Sequence, residues 1–272
     1  MKKLRYVLLM LIFIIFPFNI NAETYTISGT DVSIRFDDPA WYVFTRDNIQ
    51  DNEKLKRLGL TYEYMDELMK NNNIYLDAAL FNETDEAENI EMFIRIVTLP
   101  DDVGNLHTYS EKDIHILGDG LLESDKFNMS GYEIYGDKYK FIEFEYTDLG
   151  YNIYQFYTVI NGKGYNFTTQ KVNTITENDK ALIKGIIDTV EFELDEYYEK
   201  PMGAEEVESS LNEDIMKGAI IGGSIGLIGS LIVMLKKKKN NFPTSQNNIQ
   251  QTYMNQTTNN FQNSDQNNLN SN

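Results

Sequence analysis

The sequence predicts an α+β domain: an antiparallel β-sheet flanked by helices, joined to one transmembrane helix. Three observations carry this. From Tyr132 to Gln170, four strand-like runs follow one another across tight-turn residues, so each doubles back on the last. Helical spacing of apolar residues recurs before, between and after the strands. Gly218 to Leu235 is an uncharged run that ends in Lys236 to Lys239.

The elements follow in order. "DVSIRF" places Val32, Ile34 and Phe36 at period two, and "AWYVFT" is short and β-prone after Pro39. Asp51 to Leu58 reads as a helix stopped at Gly59. Thr61 then caps a second helix with Tyr64, Met65, Leu68 and Met69 on one face. "NIYLDAALF" and "NIEMFIRIVTL" read as strands. The second is apolar on both faces, the pattern of a strand covered on both sides.

Ser110 and Asp113 are spaced as a capping pair before Ile114, Leu117 and Leu121, although Gly118 and Gly120 are poor helix formers within that run. The meander follows: "YEIY", "KYKFIEFEY", "YNIYQFYTVI" and "KGYNFTTQ", with turns at Gly136-Asp137, Asp148-Leu149-Gly150 and Asn161-Gly162. Thr176 and Asp179 cap a closing helix, "TENDKALIKGIIDTVEF", whose apolar face is Leu182, Ile183, Ile186, Ile187 and Val190. The expected order is ββ-α-ββ-α-ββββ-α, an antiparallel sheet with helices on its faces.

The two ends set the topology. Lys2, Lys3 and Arg5 precede the apolar run Tyr6 to Phe18, and Ile20-Asn21-Ala22 offers a cleavage site, so residues 1–22 read as a signal peptide. Eighteen helical residues at 1.5 Å each span roughly 27 Å, close to a bilayer's hydrocarbon core. The lysines after Leu235 mark the cytoplasmic side. The expected segments are the signal (1–22), an extracytoplasmic domain (23–194), an acidic linker (195–217), the span (218–235), and a basic cluster with an Asn/Gln-rich disordered tail (236–272). The whole is a single-pass protein of the cell membrane, with the domain outside and the tail in the cytoplasm.

Composition excludes several chemistries. With no cysteine, the chain has no disulfide framework, zinc-thiolate site or thiol nucleophile. The net charge of −18 understates the acidity of residues 23–217, because seven of the 24 basic residues lie in the terminal clusters and Asp265 alone of the 42 acidic ones lies beyond. Such a domain disfavours nucleic acid and attracts cations or basic proteins.

No motif of nucleophilic catalysis or phosphate binding occurs. His107 and His115 match no metal-ligand spacing. The acidic groups Asp37-Asp38, Glu83 to Glu88, Asp101-Asp102 and Asp119 follow no calcium-loop pattern and read as solvated loops. No catalytic, cofactor-binding or metal-ligating residue is therefore assigned. The meander aromatics, from Tyr139 to Phe167, read as core or as a ligand-binding face. Within the span, Gly218, Gly222, Gly226 and Ser230 recur every four residues. This small-residue stripe would let two helix backbones approach, through self-association or a partner helix.

The entry Phe36, Pro39, Trp41, the Tyr-rich meander ending in "YTVINGKGYNFT" and the closing "LIKGIIDTVEF" together resemble the PsbP-like superfamily. That resemblance covers most of residues 23–194. It implies an α/β/α sandwich on an antiparallel sheet and binding or accessory roles, such as photosystem assembly, GTPase contact or exported bacterial domains. It carries no catalytic motif. The expected function is a non-enzymatic, membrane-anchored extracytoplasmic binding or accessory protein of the bacterial cell envelope, with no cofactor and an envelope-protein partner. The alternatives are an envelope enzyme with a spatially assembled acidic site and a structural or adhesive surface protein.

Overall fold

The computed structural model describes residues 22–99, 103–123 and 129–199. The signal segment as far as Asn21, the linker from Lys200, the proposed span with its glycine face (Gly218, Gly222, Gly226, Ser230) and the tail lie outside the described residues. Among the described residues no helix is long and apolar enough to cross a membrane.

Ten strands and four α-helices are described in the order β1 (Glu23–Thr26), β2 (Val32–Phe36), β3 (Tyr42–Thr45), α1 (Glu53–Arg57), α2 (Tyr62–Asn71), β4 (Ile74–Leu80), β5 (Ile90–Thr98), α3 (Glu111–Glu123), β6 (Tyr132–Tyr135), β7 (Phe141–Asp148), β8 (Tyr151–Ile160), β9 (Lys163–Lys171), α4 (Glu177–Ile187) and β10 (Glu191–Phe192). Seven strands form one sheet in the order β3-β4-β5-β9-β8-β7-β6, and β1-β2-β10 form a second. Every pairing in both sheets is antiparallel. The α+β class and the meander stand as read from sequence.

Local chemistry explains the elements. Asn161 (φ 51°) and Gly162 (φ 66°) both take the left-handed conformation that a two-residue hairpin between β8 and β9 requires. Leu149 (φ 47°) and Gly150 (φ 86°) do the same between β7 and β8. The Thr61 hydroxyl accepts from the Tyr64 N–H at the start of α2. At α4, Thr176 accepts from the Asp179 N–H (3.2 Å), while the Asp179 carboxylate accepts from the Thr176 N–H (2.8 Å), a complete capping box.

The alternation of each strand divides the large sheet into two faces. On one, Leu76, Met92, Ile94, Phe141, Phe156 and Phe167 pack against Ile183, Ile186 and Ile187 of α4 and against Ile34 and Phe36 of β2. Trp41 anchors the edge of this core, its ring 5.3 Å from that of Phe36. On the other face Ile142, Phe144, Ile153 and Tyr157 pack against Ile114, Leu117 and Leu121 of α3. Helices therefore cover both faces. The meander aromatics are divided between these two cores, which answers the choice between core and ligand face: their rings are packed.

Three departures from the sequence reading share one cause. β1 and β10 were not expected, and the closing helix stops at Ile187 instead of running to Phe192. Both short strands pair with β2 through backbone hydrogen bonds, for which four-residue and two-residue segments need no side-chain periodicity. At the helix end the Thr189 hydroxyl accepts from the Arg35 N–H of β2 (2.9 Å), so a tertiary partner replaces the next helical turn. β7 likewise starts at Phe141, later than its pattern suggests, because Gly136 to Lys140 close a turn in which Lys140 Nζ donates to the Gly136 carbonyl (2.8 Å).

The capping box yields a test. Thr176→Ala should destabilise the domain by about 1 kcal/mol, read as a lower urea midpoint with an unchanged m-value.

Candidate functional site

Two places in the domain concentrate polar chemistry. The first is a seam of buried polar side chains on the sheet face that also carries the α3 core. Strand alternation and register place Asp77 of β4, Glu91 and Arg95 of β5, Asn166, Thr168 and Gln170 of β9 and Gln155 of β8 on that face. None is more than 4% exposed. The Tyr146 hydroxyl donates to Gln155 Oε1 (3.0 Å), and Gln155 Nε2 donates to Asn166 Oδ1 (2.5 Å). Gln170 Nε2 donates to Glu91 Oε2, and Glu91 adjoins Asp77.

Burial, first, and then the Glu91 charge hold the Asp77 carboxyl well above the usual carboxylate range, with Arg95 opposing them. The Arg95 guanidinium lies 4.7 Å from the centre of the Phe93 ring, and burial lowers it to about 10. It is therefore still charged at neutral pH. Adjacent carboxyls, one of them with raised proton affinity, are components of acid–base catalysis. A substrate would also need to reach them.

The second place is the end of the domain from which the chain leaves. A cleft of about 720 Å³ is lined by Asp31, Asn161, Lys163, Glu193, Leu194, Asp195, Glu196 and Tyr198. Lys163 pairs with Asp31 (2.8 Å), which leaves the acidic groups in excess. Leu194 and Tyr197 are exposed beside it. A smaller cleft of about 210 Å³ lies between β1 and α1, at Tyr25, Asn48 and Lys54. Neither cleft is lined by Asp77 or Glu91.

A clasp builds the floor of the exit cleft. Asn105 is fully buried. Its Oδ1 accepts from the Asn161 N–H (2.6 Å), its own N–H donates to the Tyr198 carbonyl (3.0 Å), and its Nδ2 donates to Glu199 Oε1. Asn161 in turn donates to the Glu193 carbonyl (2.7 Å) and accepts from the Asp195 N–H (3.0 Å). A Cβ on Gly162 would lie 3.0 Å from the Tyr198 ring, so glycine suits this turn by shape as well as by φ. Packing thus continues to Glu199, five residues into the segment that composition assigns to the linker.

The residues singled out in the sequence have structural partners. His107 Nε2 lies 3.2 Å from Glu199 Oε2, and its ring packs edge-on to Tyr139. His115 Nδ1 lies 2.9 Å from the Tyr132 hydroxyl, which also contacts Asp119 (2.9 Å). The two histidines therefore serve separate contacts. Asp37 pairs with Arg35, Asp38 accepts from the Ala40 N–H, and Asp85 caps the 86–88 turn. Glu88 and Asp179 hold the buried Lys171 ammonium at 2.6 and 2.9 Å. Asp101 and Asp102 lie outside the described residues. Among the described residues no three His, Cys, Asp or Glu side chains group as metal ligands.

The seam was missed at the sequence level. Its signal was present: Asp77, Glu91 and Arg95 interrupt strands that are otherwise apolar, and Glu91 and Arg95 share a face at even spacing.

No family model and no curated protein matches the chain. Among solved structures it is similar to the solution structure of cyanobacterial PsbP (CyanoP) from Synechocystis sp. PCC 6803, at 11% identity and a TM-score of 0.37, over 63% of this chain and 92% of that one. The fold stands on the strand order and register above.

The clasp can be tested directly. Asn105→Ala removes two side-chain hydrogen bonds from a buried site and should cost roughly 2 kcal/mol. Limited proteolysis should then cut near residues 195–199, where the wild-type chain resists.

Proposed function

We propose that the chain is a membrane-anchored binding or accessory protein of a bacterial cell envelope. The signal at 1–22 exports the domain, the helix at 218–235 holds it, and Lys236 to Lys239 keep the tail in the cytoplasm. The domain engages a partner protein at the exit cleft, beside Asn105 and Glu199.

The observation that carries this reading is the contrast between the two polar places. The paired carboxyls lie sealed within the sheet, whereas the acidic, partly apolar cleft is open. Asp31, Glu193, Asp195 and Glu196 around exposed Leu194 and Tyr197 suit a partner with basic and apolar side chains. The resemblance of the Phe36–Trp41 entry, the meander and the closing helix to PsbP-like domains agrees with an accessory role. The stripe Gly218, Gly222, Gly226 and Ser230 supplies a second contact, within the membrane.

Two experiments bear on these contacts. Glu193 and Glu196 use their backbones, not their carboxylates, in the clasp. The double variant Glu193→Lys/Glu196→Lys should therefore fold normally and lose crosslinked partners from intact membranes. Unchanged crosslinking would place the contact elsewhere. Gly222→Ile with Gly226→Ile should abolish signal in a membrane two-hybrid assay, and undiminished signal would remove the glycine face from the proposal.

A further inference from the structure

The seam has a consequence independent of any partner. Asp77 and Glu91 lie side by side in a face where neither is more than 1% exposed, with Arg95 from the same strand as Glu91. Two carboxylates and one guanidinium sum to one uncompensated negative charge. In a solvent-free interior an uncompensated charge costs several kcal/mol. A single proton removes it.

Among the described residues, the surroundings supply no other charge of the right sign. β3 contributes Phe44, which pairs directly with Asp77. β9 contributes Thr168, Asn166 and Gln170, and β8 contributes Gln155, all uncharged. β7 contributes Tyr146, which burial keeps protonated and therefore neutral, with Asp148 acting on it from the strand end. The buried side chains of α2, which packs on β4, are Met65 and Met69, that of α1 is Leu55, and those of α3, on the same sheet face, are Ile114, Leu117 and Leu121. Glu91 already accepts from Gln170, whereas Asp77 Oδ2, Thr168 Oγ1 and Gln170 Oε1 are buried without a hydrogen-bond partner. A proton between the two carboxyls converts an acceptor–acceptor contact into a donor–acceptor one.

We propose that Asp77 and Glu91 hold one shared proton in the folded protein, and that its release at alkaline pH loosens the β4–β5–β9 centre of the sheet. In the release step a carboxyl O–H bond breaks, its electron pair stays on oxygen, and the proton passes to hydroxide or a buffer base. The seam is then a proton-operated latch in a domain that, on the reading above, faces the external medium.

The sign follows from linkage. Asp77 binds its proton more tightly folded than unfolded, so the folded state carries one proton more between its two pKa values. In the folded protein the latch stays closed up to the folded value; the stabilisation it confers is full below the unfolded value of about 3.9 and is lost progressively as pH rises from there toward the folded value. Within that window the folding equilibrium should weaken by about tenfold per pH unit from this group alone.

The experiment uses the full chain in detergent micelles. Infrared spectra at neutral pH should show the C=O stretch of a protonated carboxyl, absent from both Asp77→Asn and Glu91→Gln, since either leaves one carboxylate facing Arg95. Thermal unfolding from pH 5 to pH 9 should fall more steeply for wild type than for either variant. Should one variant fail to fold, the other and the wild-type infrared titration still decide. A wild-type spectrum without the band overturns the proposal, as does an equal pH slope in all three proteins. Stabilisation by sodium or potassium at high pH would assign the missing charge to a bound cation and overturn it equally.

Discussion

The pairing of β5 with β9 is the interaction on which the rest of the domain depends. These strands occupy the middle of the seven-stranded sheet, run eight residues in register from Glu91↔Gln170 to Thr98↔Lys163, and are covered on both faces. One face of β5 presents Met92, Ile94 and Ile96 to the core beneath α4 and the small sheet. The other presents Glu91, Phe93 and Arg95 to the polar seam. A slip of one residue would exchange the two sets and bury two more charges under α4. Register here is therefore held by apolar burial on one side and by polar satisfaction on the other.

This arrangement separates stability from contact. The apolar face binds the helix and the second sheet, and fully burying a single Ile or Phe there stabilises by roughly 1.5–3 kcal/mol. The seam face adds specificity, since the Tyr146–Gln155–Asn166 and Gln170–Glu91 hydrogen bonds depend on this register. Among the described residues, both faces pack against other elements of the domain. The exposed polar cleft lies at the end of the domain, where the Asn161-Gly162 hairpin, the 103–109 segment and the last packed residues meet. There a single buried amide, Asn105, joins three chain segments and shapes an open acidic cleft.

Much of the architecture was legible in the residues. The hairpins were marked by Asn-Gly and Leu-Gly pairs because positive φ is a local demand. The α2 and α4 starts were marked by Thr61 and Thr176 because capping joins residues three apart. β5 announced its position through apolar residues on both faces. What was not legible follows equally from physics. β1 and β10 are held by the backbone of β2, and backbone hydrogen bonding leaves no trace in side-chain pattern. The acidic composition beyond Leu194 suggested a solvated stalk, yet Tyr198 and Glu199 are fastened by partners ninety and more positions away and Asp195 by Asn161.

By itself the sequence determined the elements, their turns and caps, the antiparallel meander and the absence of thiol chemistry, since each depends on residues within a few positions of one another. The tertiary structure alone decided which charged residues would be buried together. Asp77 and Glu91 come from different strands and Gln170 from a third, and only register brings them to one face. It also decided that the aromatic meander would be filled on both sides, because that depends on α3 and α4 folding back from distant parts of the chain. Local patterns specify what a segment can form. Long-range pairing specifies what it must share space with, and in this domain that second constraint produced both the sealed proton site and the open cleft.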